Sequence, residues 1–303
     1  MVIKHIVIAG GGPTGFITYG VLKHLSKSNF WNTGNLHSLY GTSVGAFFAT
    51  ILCLNYEWNI LDDYLIERPW DKMVDIGPQS IISVLTGAGA LDAEIFTEKA
   101  LEPLLSAKGL SKDITLREFH EYSKKDLHLF TAEINGDRLQ NIDLSHITHP
   151  DWKLVRCIAM SLAYPLVFKP IFVEDKCYID GGLINNLPII DCVSQKDCDK
   201  DEILVLKNIL IREPIESIVT KDTSITRFFS ILFKKMRDEI DPIDKHPDLK
   251  NTVKCLCENV SGLDSWFEVL TNQNMRKDLI NNGISQANIF LEYKNYDKDV
   301  FKN

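Results

Sequence analysis

Leu36-His-Ser-Leu-Tyr40-Gly41-Thr42-Ser43-Val44-Gly45-Ala-Phe-Phe-Ala-Thr50-Ile-Leu-Cys-Leu54 is the stretch on which the fold turns. Leu36 to Tyr40 reads as a short strand. Val44 to Leu54 is apolar on most sides and reads as a buried helix. Between them lies Gly41-Thr42-Ser43-Val44-Gly45, a G-x-S-x-G at a strand-to-helix turn. A serine on such a turn has a strained backbone and needs small neighbours, which Gly41 and Gly45 supply. Ser43 would project above the sheet at the N-terminus of the next helix, where the dipole favours an alkoxide or oxyanion. The same pattern also suits a plain turn between small residues.

On the N-terminal side, Val2 to Ala9 is rich in β-branched residues and reads as a buried strand. Gly10-Gly11-Gly12-Pro13-Thr14-Gly15 breaks it, and Thr14 to Leu25 has helical spacing of Phe16, Val21, Leu22 and Leu25. The loop matches G-x-G-x-x-G, which raises a dinucleotide site. That site also wants an acidic residue after the second strand, and Ser26 to Tyr40 contains none. The alternatives are a tight turn, or a nest of backbone amides aimed at an anion. Three successive glycines weigh against a mere turn, because each costs backbone entropy on folding.

On the C-terminal side, strands are expected at Leu127 to Glu133, Ile171 to Val173 and Ile203 to Leu210, and a helix at Leu154 to Ser161. Residues 70 to 125 read as helices and loops, with a flexible stretch at Thr86-Gly-Ala-Gly89. Asp180-Gly181-Gly182 follows Cys177-Tyr-Ile179 and places a carboxylate at a strand end with room to face another loop. These alternations define an α/β fold: a three-layer sandwich with a largely parallel central sheet flanked by helices. After Leu210 the texture changes to helices joined by polar loops. The expected division is a catalytic domain over 1–212 and a helical C-terminal extension over 213–303 packed on it.

In this order the three loops resemble those of the patatin-like phospholipase family: a glycine-rich oxyanion loop, a G-x-S-x-G and an Asp-Gly-Gly. Ala159-Met-Ser161-Leu-Ala163-Tyr-Pro165-Leu-Val-Phe168-Lys-Pro170 and Asp180-Gly-Gly-Leu-Ile-Asn-Asn186-Leu-Pro188 resemble the stretches around the family's aspartate. Met275 to Phe290 resembles, more loosely, a helix near the family's end. The resemblance covers residues 3 to 190. It implies a lipid acyl hydrolase with a Ser–Asp dyad and an acyl-enzyme. Ser43 would be the nucleophile, Asp180 the general base, and Gly10, Gly11 and Gly12 the oxyanion hole. Gly15, Gly41, Gly45, Gly181 and Gly182 would support the turns. One departure stands out: Thr14, after Pro13, occupies the place where the family's loop commonly carries Arg or Lys. A non-catalytic scaffold binding lipid or a protein partner is the alternative this departure raises.

A carboxylate is a weak base for a hydroxyl, so the implied mechanism predicts that burial raises the Asp180 pKa toward neutrality. The competing design is a triad with histidine. His246 is the one histidine downstream of Asp180 and is its first candidate, with the upstream histidines as alternatives if the fold brings one near.

The remaining features bound the function. The 303 residues carry a formal charge of −8, which weighs against a dedicated nucleic-acid binder. Seven scattered cysteines read as reduced thiols. Cys255 and Cys257 lack a second pair to complete a zinc site. No metal site and no cofactor are predicted. Asn259-Val260-Ser261 fits a glycosylation sequon of the kind that arises by chance. The start of the chain, interrupted by Lys4 and His5, is a poor signal peptide, and the longest apolar run, Val44 to Leu54, is too short to span a bilayer. The expectation is a cytoplasmic protein with room for peripheral contact with membranes, acting on phospholipid or another acyl lipid. Ile225, Phe228, Phe229, Leu232 and Met236 share one face of a predicted helix with Arg227, Lys234 and Lys235 elsewhere. That face is expected to pack on the catalytic domain, with docking on an anionic bilayer as the alternative.

Overall fold

A computed structural model describes residues 2–73, 91–195, 198–211, 218–242, 245–258 and 263–300. The Thr86–Gly89 stretch and the Asn259-Val260-Ser261 sequon lie outside the described residues.

The chain builds an eight-stranded sheet from β1 (His5–Ile8), β2 (Ser38–Thr42), β3 (Asp126–Glu133), β4 (Gln140–Leu144), β5 (Ile171–Val173), β6 (Lys176–Asp180), β7 (Ile203–Ile211) and β8 (Thr252–Glu258). Its order is β5-β6-β3-β2-β1-β7-β8, with β4 pairing β3 off that path. The run β3-β2-β1-β7-β8 is parallel throughout, whereas β4, β5 and β6 enter antiparallel. The helices are α1 (Gly15–Lys27), α2 (Val44–Cys53), α3 (Trp58–Glu67), α4 (Ala93–Ala107), α5 (Leu116–Ser123), α6 (Leu154–Leu162), α7 (Ile189–Val193), α8 (Ile225–Ile240), α9 (Leu263–Thr271) and α10 (Gln273–Val300).

The apolar runs of β1, β2 and β7 follow from their central place, since a parallel strand is covered on both faces. Alternate residues point to opposite sides. Ile6, Ile8, Leu39, Leu204 and Leu206 join the larger core, while Val7, Tyr40, Phe130 and Val205 join the smaller one.

The C-terminal third differs from its expected helical texture. Thr252–Glu258 is a strand that pairs parallel with β7 and extends the sheet. Val253, Cys255 and Cys257 are buried while Lys254, Leu256 and Glu258 face out, a period of two that only a half-covered strand satisfies. The long helix α10 packs along α1. A Cβ at Gly20 would strike the Ile280 carbonyl, and one at Gly283 the Ile17 carbonyl, so paired glycines set the close approach. Arg276, on α10, is buried. Its guanidinium donates to the carbonyl of Ile66 at 2.6 Å, near the end of α3, and to those of Val269 and Leu270 at 2.7 and 3.0 Å, near the end of α9. These carbonyls have no partner within their own helices, and one buried cation satisfies them together.

Candidate active site

Ser43 stands between β2 and α2 with φ 56° and ψ −126°. A residue with a Cβ adopts such a backbone at a cost of about 1–3 kcal/mol, so the surroundings must enforce it. The Ser43 N–H donates to Ser161 Oγ at 2.8 Å, and the Ser161 hydroxyl donates to the Phe130 carbonyl at 2.6 Å. The Thr42 hydroxyl donates to the Asn185 carbonyl at 2.9 Å, tying the turn to the loop after Asp180. Gly41 and Gly45 leave room for each other and for β1: a Cβ at Gly41 would overlap the Gly45 carbonyl, and one at Gly45 the Ile8 carbonyl.

Asp180 ends β6. Its N–H donates to the Ala163 carbonyl at 3.0 Å, and its Oδ1 accepts the Gly182 N–H at 2.7 Å. Gly181 leaves space for the Phe130 carbonyl, and Gly182 sits between the side chains of Asp180 and Asn186. The carboxyl is buried and faces the Ser43 hydroxyl. Burial pushes its pKa from 3.8 up to about 6. The contacts with Ser43 and with the Gly182 amide, and the charge of Arg237, pull the other way. The raised value expected from sequence is therefore present, and desolvation is its main cause.

The glycine loop lies against this pair. A Cβ on Gly10 would sit 3.0 Å from the Ser43 Cβ. Gly12 has φ +56°, and a Cβ there would enter the indole of Trp266, so only glycine meets both demands. Gly15 lies against Phe48 and Val44 at the start of α1. One expectation needs correction. The Gly10 N–H is already committed to the Asn186 carbonyl at 3.1 Å. The amides of Gly11 and Gly12 have no acceptor among the described residues. Gly10 shapes the loop by its missing side chain instead.

Thr14 also finds its explanation. It is fully buried, and its Oγ1 accepts from Asn208 Nδ2 at 2.9 Å. The same amide donates to the Gly10 carbonyl at 3.1 Å. A neutral hydrogen bond from β7 thus anchors the loop where the family commonly has a cation. Asn186, Asn208, Ser161 and Trp266 were not assigned site roles from sequence. Ser161 and Asn186 lie in the stretches that resemble the family's, without a role of their own there, whereas no short motif announces Asn208 or Trp266.

His246 does not meet Ser43. Its Nε2 lies 2.8 Å from Asp241 Oδ1, and Asp241 Oδ2 accepts the Asn186 N–H at 3.0 Å. The histidine supports the Asp180 loop from behind through Asp241. Next to the serine lies an apolar cavity of about 70 Å³. Gly12, Val44, Phe47, Phe48, Leu162 and Trp266 are among its walls, so it begins at the glycine loop and at the residue following Ser43.

A family model described as patatin-like phospholipase matches residues 6–193. The chain belongs to the patatin-like phospholipase family. An uncharacterized protein, R571, of Acanthamoeba polyphaga mimivirus is 27% identical over 187 residues, covering 62% of this chain and 60% of that protein. A probable lipid hydrolase, 463L, of Invertebrate iridescent virus 6 is 27% identical over 188 residues, covering 61% and 62% respectively. The aligned regions thus span about three-fifths of these relatives. The crystal structure of VipD from Legionella pneumophila superposes with a TM-score of 0.54 at 16% identity, over 97% of this chain and 67% of that one, a likeness of fold.

Proposed function

We propose that the chain is a lipid acyl hydrolase of phospholipase A type, working through Ser43 and Asp180. The reading rests above all on the buried, proton-poised carboxyl of Asp180 facing a hydroxyl on a strained strand–helix turn. Asp180 takes the Ser43 proton as the oxygen attacks an ester carbonyl. The Gly11 and Gly12 amides, with the N-terminus of α2, hold the oxyanion. Asp180 passes that proton to the departing oxygen, so the alcohol leaves, the carboxylate is restored and an acyl-enzyme remains. Water, activated by the same carboxylate, then releases the fatty acid. The apolar cavity beside Val44 takes the start of the acyl chain. The kinship with a viral protein named a probable lipid hydrolase supports the substrate class.

Access to lipid has its own support. Ile225, Phe228, Leu232 and Met236 are exposed on α8, while Ile231 on another side is buried. Most of the stripe expected to pack inward is exposed, and Phe229 within it is half-buried. Arg227 and Lys235 are exposed on the same helix. An apolar stripe with basic flanks is suited to an anionic bilayer surface. Among the described residues no helix is long and apolar enough to cross a membrane.

The test is fatty-acid release from defined phospholipids by wild type, Ser43→Ala and Asp180→Asn, beside labelling with a fluorophosphonate probe. Activity and labelling both vanish in Ser43→Ala if the reading holds. Undiminished release by Ser43→Ala would end it, and folded wild type that neither labels nor hydrolyses would favour a binding scaffold.

A further inference from the structure

The ends of the sheet carry different chemistry. Ser43 and Gly10 follow the C-terminal ends of β2 and β1. At the opposite ends, His5 opens β1, Ser38 opens β2 and Asp126 opens β3, side by side in register, with Glu202 just before β7. Two cysteines reach the same edge: Cys192 from α7 and Cys198 from the segment beyond it.

We propose that His5, Cys192 and Cys198 form a metal site of Cys₂His type for a divalent ion with zinc-like preferences. Their ligand atoms all lie within 4.8 Å of one another, close enough for a four-coordinate ion to gather them with small side-chain movements. His5 is prepared for the task. Its Nδ1 lies 2.7 Å from Ser38 Oγ, which fixes the ring and leaves the other nitrogen for a metal, the outer-shell arrangement typical of ligating histidines. Cys192 is fully buried.

Charge decides which ion suits the place. Two thiolates and a neutral imidazole bring a charge of −2, which a divalent cation cancels, so the assembled site is neutral where it is most buried. Sulfur and imidazole select a borderline-soft ion over magnesium or calcium. Loading is balanced: two S–H bonds break, two metal–sulfur bonds form, and two protons leave to solvent. A cavity of about 380 Å³ lies beside His5 and Cys198 and would have room for water as a fourth ligand; Glu202, also on its wall, is paired with Lys4 at 2.7 Å. The metal would fasten the start of β1 to the segment beyond Asp180, as a structural clamp at the far end of the sheet from Ser43.

Neighbouring His120, Asp126 and His146 also gather within the same distance, and they supply the control. The full chain is loaded with Zn²⁺, passed through a desalting column and assayed for bound metal. Cobalt substitution is read by absorbance. The expected result is about one zinc per chain, falling roughly tenfold or more in Cys192→Ser, Cys198→Ser and His5→Ala and unchanged in His146→Ala. Cobalt should give thiolate charge-transfer bands in the wild type, a readout that holds even if a variant folds poorly. EDTA should lower the melting temperature of the wild type. The proposal is overturned if no metal is retained and all seven cysteines titrate as thiols. It is overturned equally if no metal is retained and peptide mapping finds Cys192 and Cys198 joined as a disulfide. Metal lost in His146→Ala but kept in Cys198→Ser would move the site to the histidine pair.

Discussion

The Ser161 hydroxyl holds the backbone of Ser43: it accepts the Ser43 N–H at 2.8 Å and donates to the Phe130 carbonyl at 2.6 Å. The donor is the amide of the one residue in the turn that combines a side chain with φ 56°. Ser161 therefore ties the turn between β2 and α2 to β3.

Ser161→Ala strands that buried amide, at a cost of about 1–3 kcal/mol. The strained turn should relax, and kcat should fall about 10- to 100-fold with KM little changed. Fluorophosphonate labelling should slow in parallel while circular dichroism stays native. An unchanged labelling rate would show that Ser43 keeps its place without this bond.

Asp180 makes pH a direct probe. The base must be ionised, so kcat/KM should rise with pH through about 6 and then level off. A profile whose acid limb falls near pH 4 would remove burial as the tuning device.

The same shift has a sign for stability. The folded carboxyl has its pKa raised to about 6 against 3.8 when free, so the folded state holds the proton more tightly. Its favourable contribution is complete below about pH 4 and is lost as pH rises to about 6. Asp180→Asn keeps the shape without the charge. It should be inactive yet more stable than wild type at pH 7, by up to about 3 kcal/mol. The gain should disappear near pH 4 in urea titrations.

Much of this site is legible in the chain because backbone geometry leaves marks on sequence. A serine at positive φ needs glycines at Gly41 and Gly45, and a loop pressed under an indole needs Gly12. The strand–turn–helix texture of residues 2–54 follows from burial on both faces. Residues that act through side-chain amides leave a weaker mark: Asn186 stands in a stretch that resembles the family's but shows no role there, and Asn208 is an ordinary polar letter until β7 brings it to Gly10. β8 was readable in principle. Val253, Cys255 and Cys257 alternate with Lys254 and Glu258, but cysteines weighed only as thiols conceal their role as small apolar residues. The stripe on α8 has helical spacing whether it meets protein or solvent, so spacing alone could not choose.

Trp266 should govern acyl-chain preference. Its indole closes the cavity against Gly12, and its ring packs near Phe168. Trp266→Ala removes that wall. The ratio of kcat/KM for long over short acyl esters should rise about tenfold, on the scale of one or two methylenes gained in an apolar pocket. Competition between esters of different chain length in one reaction gives the ratio directly. An unaltered ratio would place the acyl chain elsewhere.

The anchoring of the glycine loop by Asn208 gives the sharpest contrast with the family's pattern. One amide group serves both the Gly10 carbonyl and the Thr14 hydroxyl. Asn208→Ala removes both bonds and frees the Gly11 and Gly12 amides to drift. The expected loss is about 10- to 100-fold in kcat, comparable with losing part of an oxyanion hole. Restoring the family's cation by Thr14→Arg should not help. The threonine is wholly buried and lies against β7, so a guanidinium there must either stay unpaired or push α1 away. Thr14→Arg should melt several degrees below wild type. In the Asn208→Ala background it should leave turnover low. If the arginine instead revives the double variant, the loop tolerates a charged anchor, and its neutral bond to Asn208 is a substitute rather than a requirement.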